Sequence, residues 1–519
     1  MKVISLLLLL LLNLSVGLFA QNQPPQILNL HASFSYTDNR MTLTYDLVDA
    51  EGDSVEIFFR RSDNAAETYL ADVAGATGDI GFPVMPGTGK QIIWNAPQAI
   101  STVLAQVKLI ADDRQPLDIQ SIVDQVDSLR LKNDLGWLEG IRHPATGIAH
   151  LAEVKDSLEA RFLAGGLTTY RQAQTLGVYS IENIIGLKPG HVDESQTWIV
   201  DGHFDGVHNS PAADDNGSAV AGMLEILREV APWPFRNNVR FIGFDLEEAG
   251  TLGSQLYVNQ GIKPWETIAG VINLEMIGYF DASPNTQIFP AGFNLLFPAA
   301  YNAVVADSSR GNFITNVAEP NSATLRDKFD DCAAKYVPDL RVISLTAPAN
   351  PALVPDLLRS DHAHFWAAGI PALMITDGAN FRNPHYHTPG DSVGTLHFTF
   401  MSQVVKAALG TLIELAGPIH GDVEVSEVGI MNTGLGNLST ICKIEVEQTG
   451  TGIRIEVGEC GKNGITAKLM NIAGQAVAET RTIPGKSDVY FKTEGFSPGI
   501  YLLWLENQQG MYSTKIWVR

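Results

Sequence analysis

Residues 197–250 read TWIVDGHFDGVHNSPAADDNGSAVAGMLEILREVAPWPFRNNVRFIGFDLEEAG. Two apolar runs in this stretch, 198–200 and 239–244, have strand character. Each ends in acidic residues, the first accompanied by a histidine. Between them, 218–230 carries Val220, Met223, Leu224 and Leu227 at helical spacing. Strand, helix and strand in so short a span predict a parallel βαβ unit with a right-handed crossover. Ligands of open α/β sheets gather beyond the carboxyl ends of the strands. His203, Asp205, Asp214, Asp215, Glu247 and Glu248 all fall there or in the connecting loop.

Outward from this unit the αβ alternation runs from about 116 to 416. Helical spacing in IQSIVDQVDSLRL and LAEVKDSLEARFLAGG precedes the strand-like VYSIENIIGLKPG and TWIVDG. The expected fold class is α/β, with a central mixed, mostly parallel sheet flanked by helices over 116–416. Residues 21–115 alternate apolar and polar positions between Asp-, Gly- and Asn-rich turns, predicting an N-terminal Ig-like or fibronectin-like β-sandwich. The Gly-rich, acidic stretch 417–437 is expected to be a linker. Residues 438–519 return to strands joined by Gly turns and predict a small C-terminal β-sandwich.

The chain has 519 residues, 45% of them hydrophobic, which suits several domains with cores of their own. Its net charge of −22 argues against nucleic acid and anionic membrane surfaces as partners. Lys2, the apolar run 3–12 and the small residues after it read as an export signal, residues 1–20, cleaved after Ala20. No other segment reads as transmembrane. Export permits disulfides. Cys442 and Cys460 flank an expected hairpin and are a candidate pair, which leaves Cys332 as an inert, partly buried thiol.

Carboxylates mixed with imidazole suit Zn²⁺ or a similar divalent ion. His203 and Asp205, two apart in extended chain, point the same way, so one binds metal while the other engages or orients it. At a strand end, adjacent Glu247 and Glu248 allow one carboxylate to bind metal and its neighbour to serve a bound water as general base. Glu275 follows the strand-like run 269–273, and NPHYHTPGDS supplies His385 and His387. As residues of one strand, these two histidines share a face, and spacing does not choose between them.

GHFDGVHNSPAADDNGS, FDLEEAGTLGS, NLEMIGY, SDHAHFWAAGIPA and HYHTPGDS, in this order, resemble the successive motifs of the co-catalytic dizinc aminopeptidases, the secreted leucyl-type family. The resemblance covers roughly 130–415. It implies the zinc exopeptidase fold and two Zn²⁺ ions held by His203, Asp215, Glu248, Glu275 and His387, with Asp215 bridging. It makes Glu247 the general base, Asp205 the residue that orients His203, and Tyr386 a donor to the developing oxyanion. It picks His387 over His385 and implies a cis bond between Asp215 and Asn216. Asp214 is then structural, Asp361 supports the ligands from behind, and His362 and His364 are structural. Many family members carry Asp where this chain has Glu275. The implied substrates are peptides with a free N-terminus.

Residues 440–519 carry a second resemblance. MNIAGQ, SPGIYLLWL and STKIWVR are similar to the sorting domain of type IX secretion cargo, which implies the type IX secretion machinery as a partner and a secreted or cell-surface location. Three alternatives stand beside the aminopeptidase: a carboxypeptidase, with Arg326, Arg359 or Arg382 as carboxylate clamp; a glutaminyl cyclase; and a non-catalytic surface binding protein. A serine hydrolase is disfavoured, since no G-x-S-x-G elbow is present and contiguous Ser360, Asp361 and His362 diverge.

Overall fold

The computed structural model describes residues 23–518 except 36–37, 64–68, 70–72, 98–99, 101–104, 349–352, 431–435, 438–444, 450–451, 459–463, 471–475, 483–484, 487, 494 and 508–509. The export signal, Cys442, Cys460 and most of MNIAGQ lie outside the described residues.

The αβ alternation over 116–416 produces one eight-stranded sheet. Its strands are β1 (Thr168–Leu176), β2 (Tyr179–Lys188), β3 (Asp193–His203), β4 (Asn237–Phe244), β5 (Thr267–Leu274), β6 (Ile314–Ala318), β7 (Val342–Thr346) and β8 (Ala372–Thr376). In space they run β7-β6-β8-β5-β3-β4-β2-β1. The pairs β3/β4, β3/β5, β5/β8 and β6/β7 are parallel. The pairs β4/β2, β2/β1 and β6/β8 are antiparallel, so the sheet is mixed with a parallel centre.

Period-two alternation explains why the central strands read as continuous apolar runs: both faces are buried. Val200, Phe241, Ile272 and Leu373 face one layer of helices, Ile148–Ala164, Ala219–Val230, Ala323–Tyr336 and Phe398–Ala416. Their neighbours Ile199, Ile242, Val271 and Met374 face the other side, against Tyr257, Phe365 and Trp366. Each such side chain contributes about 1.5–3 kcal/mol on full burial. Phe398–Ala416 is long and apolar enough to cross a bilayer by length and composition alone. Here it is a core helix, packed on Ala323–Tyr336 and Ala219–Val230.

The helical run 119–131 is broken. Ile119–Val123 and Ser128–Leu138 are separate helices, because Asp127 caps the second by accepting from the Leu129 N–H. The cap captures an N–H that a continuous helix would bond internally.

The N-terminal module is a sheet folded over one core: Leu43 and Tyr45 of Arg40–Val48 share buried contacts with Ile57 and Phe59 of Val55–Ser62. The linker expected at 417–437 is corrected in its middle. Val423–Ile430 is a strand of this module, parallel to Gln26–Ser35 (Ala32 opposite Val428) and antiparallel to Gln106–Asp112 (Val423 opposite Ile110). Its backbone finds its hydrogen-bond partners only in strands remote along the chain, so a local reading of an acidic, Gly-flanked stretch misses them. The α/β domain is therefore inserted between two strands of the sandwich. Lys108 pairs with Glu194 at 2.9 Å and Arg236 with Asp112 at 3.1 Å across the junction.

At the C-terminal end, a five-stranded and a three-stranded sheet enclose a core that includes Ile453, Ile455, Leu469, Leu503 and Leu505.

Candidate metal centre

Strands β3, β4, β5 and β8 are neighbours and mutually parallel, so their carboxyl ends deliver side chains to one edge of the sheet. His203 is the last residue of β3. Asp205 follows it, and its carboxylate accepts from the Glu247 N–H at 3.0 Å and the Glu248 N–H at 3.2 Å. One carboxylate thus ties the end of β3 to the turn after β4. Asp205 also lies 3.4 Å from His203 Nδ1, in position to orient the ring.

Residues 213–218 coil tightly into the helix Ala219–Val230. Asp215 (φ −102°, ψ 88°) and Asn216 (φ −125°, ψ 41°) depart from helical conformation, and the bond between them is cis. Asn216 secures Glu275: its amide donates to Glu275 Oε2 and Leu274 O and accepts from the Met276 N–H. The Ser360 hydroxyl donates to the same Glu275 oxygen at 2.8 Å.

Two groups of donor atoms result, and Asp215 belongs to both. His203, Asp215 and Glu275 offer ligand atoms within 4.8 Å of one another, as do Asp215, Glu248 and His387. His203 Nε2 is 3.5 Å from both Asp215 Oδ1 and Glu275 Oε2. His387 Nε2 is 3.0 Å from Asp215 Oδ2 and 3.1 Å from Glu248 Oε2. Glu247 Oε2 stands 3.9 Å from His203 Nε2 without joining either group.

The donor set fits a pair of divalent cations. His203 Nε2 and Glu248 Oε1 are buried without a hydrogen-bond partner, a costly state unless a cation uses them. Burial pushes the Glu248 carboxyl up to about 7, with the Asp215 charge adding to it, and burial also drives Glu247 well up. Burial opposes charge on His387, but Asp215 and Glu248 outweigh it and raise the imidazole to about 9. Burial likewise disfavours the Asp215 carboxylate, yet His203 and His387 hold it below its ordinary value. Carboxylates clustered out of water call for positive charge.

The two histidines of HYH are not on a strand. Residues 383–388 form turns, with the His387 backbone left-handed at φ 56°, so alternation does not apply and the rings part. His385 meets Tyr279 edge to face, 6.4 Å between centroids, and belongs to neither donor group. Tyr386 stacks on His387 at 3.8 Å, and its hydroxyl accepts from Arg359 Nη2 at 2.8 Å. Burial first, then the carboxylates of Asp215 and Glu248, raise the Tyr386 phenol and keep it a proton donor. Asp361 is fully buried, which pushes its carboxyl up to about 7. His362 bonds Leu357 O and His364 bonds the Thr251 hydroxyl. Asp214 accepts from the Gly278 N–H and the Asn383 amide.

Two supports escaped the sequence reading. Asp391, within the quoted HYHTPGDS, accepts from the Asp214 and Asp215 N–H groups and so pins the residue the two donor groups share. Arg142 is wholly buried, and its guanidinium donates to the carbonyls of Phe204, Pro211, Ala212 and Leu138. It staples the loop bearing Asp205 to the loop bearing Asp215. Nothing local in IRHPATG signals that role; it exists only where three chain segments meet.

Beside the centre lies a mostly apolar cleft, open to solvent on one side. Glu275, Tyr386, Phe289, Phe293, Phe313 and Met374 are among its walls. Of the three candidate arginine clamps, only Arg359 lines it. Arg359 is already engaged by Asn380, Tyr386 and Asp356. Arg326 bonds Thr346 and Asp327, and Arg382 is buried against Phe313 O and Gln287.

Residues 183–412 match the model of Peptidase family M28. The uncharacterised protein YfbL of Escherichia coli (strain K12) is 28% identical over 299 residues, 54% of this chain and 87% of its own. Aminopeptidase YwaD of Bacillus subtilis (strain 168) is 30% identical over 225 residues, 41% of this chain and 40% of its own. This chain therefore spans about two-fifths of that aminopeptidase's length. The structure of BSAP, a zinc aminopeptidase from Bacillus subtilis, aligns over 47% of this chain and 52% of its own, with 25% identity and a TM-score of 0.36.

Proposed function

We propose that this protein is an exported, zinc-dependent aminopeptidase of family M28 that removes apolar N-terminal residues from peptides. The observation that carries the reading is the pair of donor groups sharing Asp215 at the carboxyl ends of parallel strands. His203, Asp215 and Glu275 would hold one zinc, and Asp215, Glu248 and His387 the other. Ions so held would supply Lewis acidity, to acidify a water and polarise the scissile carbonyl.

The rest falls to the chain's own groups. The Glu247 carboxylate accepts a proton from the attacking water and returns it to the leaving amine nitrogen. Asp205 keeps His203 in position and, through the two backbone N–H groups it accepts, fixes where Glu247 stands. The Tyr386 hydroxyl, held by Arg359, donates to the developing oxyanion. The substrate's first side chain enters the apolar cleft beside Glu275, and the surrounding carboxylates favour its ammonium group. A carboxypeptidase would need a free cation in that cleft, and Arg359 is already engaged there by Asn380, Tyr386 and Asp356. Export through the N-terminal signal, with the C-terminal sandwich as a type IX sorting domain, completes the proposal.

The test is a panel of peptides with free and acetylated N-termini, run beside metal analysis of the purified protein. Cleavage of free peptides alone, lost on chelation and restored by Zn²⁺, is the expected result. Activity in metal-free protein, or equal cleavage of blocked peptides, removes the reading.

A further inference from the structure

Two residues of the donor cluster line separate clefts. Glu275 lines the apolar cleft, whereas Glu248 lines a second one, together with Asp205, His143, Pro144, Tyr179 and His208. The two imidazoles stand edge to face at 6.1 Å. The Thr146 hydroxyl lies 3.3 Å from His143 Nδ1 and donates to His208 O, joining the two loops that carry these rings. With the Tyr179 phenol they form three rings around a slot next to a candidate zinc ligand.

Tyr179 connects this cleft to a second feature. It pairs with Leu176 across the two-residue turn of the β1–β2 hairpin. Gly177, at φ 61°, takes the corner that requires glycine, which leaves the next position free to be polar. That position is Val178, 93% exposed, and Leu176 beside it is 50% exposed. Bulky apolar side chains left this exposed at a hairpin tip suit a ligand that passes over them.

We infer that this cleft and the hairpin tip bind the substrate on the leaving side of the scissile bond. The cleft takes a bulky, preferentially aromatic second residue, and Leu176 and Val178 support the residues after it. The inference rests on the aminopeptidase reading. With the first side chain in the cleft beside Glu275 and the reacting carbonyl between the two donor groups, the rest of the peptide departs past Glu248. Its second side chain then meets His143, His208 and Tyr179, whose flat faces favour another ring.

The experiment compares kcat/KM for leucinamide, which has no second residue, with the series Leu-X-Ala-Ala, where X is Gly, Ala, Asp, Leu, Phe or Tyr. Phe and Tyr should exceed Gly by about tenfold, mainly through KM. His208→Ala and Tyr179→Ala should shrink that ratio toward one. Leu176→Ser with Val178→Ser should reduce the gain from lengthening Leu-Phe to Leu-Phe-Ala-Ala-Leu. Hydrolysis of leucinamide with a series flat to within twofold overturns the subsite alone, and so does a preference untouched by the variants. Failure to cleave leucinamide and every peptide overturns the aminopeptidase reading and the subsite with it.

Discussion

The two halves of the donor cluster share Asp215 and differ in almost everything else. His203, Asp215 and Glu275 are buried, and their orientation is set from behind by Asp205, Asn216 and Ser360. His387 sits on a turn in left-handed conformation with its side chain 35% exposed, and Tyr386 stacks on it. One half is enclosed by the protein except where Glu275 meets the apolar cleft, and the other, at His387, is open to solvent. A structural site closes its coordination, and a catalytic one keeps a position open. The candidate centre combines the two habits around the one carboxylate that its two donor groups share.

Five experiments break or sharpen that contrast. Asp215→Ala should empty both halves, leaving no zinc by elemental analysis and no turnover, whereas His387→Ala should retain about one ion per chain. Equal loss in the two variants would mean that the halves are not distinct. Glu247→Gln should cost about 10²–10⁴-fold in kcat while zinc content stays at the wild-type value, because Glu247 belongs to neither donor group. Ser360→Ala removes the hydroxyl that holds Glu275 and should weaken zinc binding at the closed half about 10–100-fold in chelator competition, with the open half unaffected.

Arg359→Leu should act chiefly through Tyr386, which stacks on His387 at the open side. Releasing the Tyr386 hydroxyl from one hydrogen bond should lower kcat about fivefold, roughly 1 kcal/mol. The effect should vanish in a Tyr386→Phe background. The smallest effect calibrates acid sensitivity away from the centre. Burial, reinforced by Lys108 and Lys188, depresses His191 to about 4 at the junction with the sandwich. The folded protein keeps this ring neutral while the unfolded chain protonates it near pH 6.5. Its contribution to stability is therefore present above about 6.5 and lost as pH falls toward 4. His191→Asn should flatten the decline of the thermal midpoint across that window; an unchanged decline would assign it to other groups.

Much of the site was legible because its geometry is local to strand ends. His203, Asp205, Glu247, Glu248 and Glu275 each follow an apolar run, and four parallel neighbours carry such ends to one edge without further information. HYH was harder: a strand rule was applied to a turn, and only the resemblance separated His387 from His385. Arg142 and Asp391 act through backbone groups of distant loops, and no spacing rule describes that. The strand Val423–Ile430 was missed for a related reason. Its Val/Glu alternation is strand-like, but its partners Ala32 and Ile110 lie hundreds of positions earlier.

That strand also dictates an order of events. A ribosome that has finished Asp112 must add 311 more residues before Val423 emerges, about 15–60 s at roughly 5–20 residues per second. Throughout that interval Gln26–Ser35 and Gln106–Asp112 each present an unpaired backbone edge, the kind of surface on which chains aggregate. The module made first is the one sealed late. Chains cut between Ala416 and Val423 would keep every residue of the donor cluster and still be released with that seam unstitched.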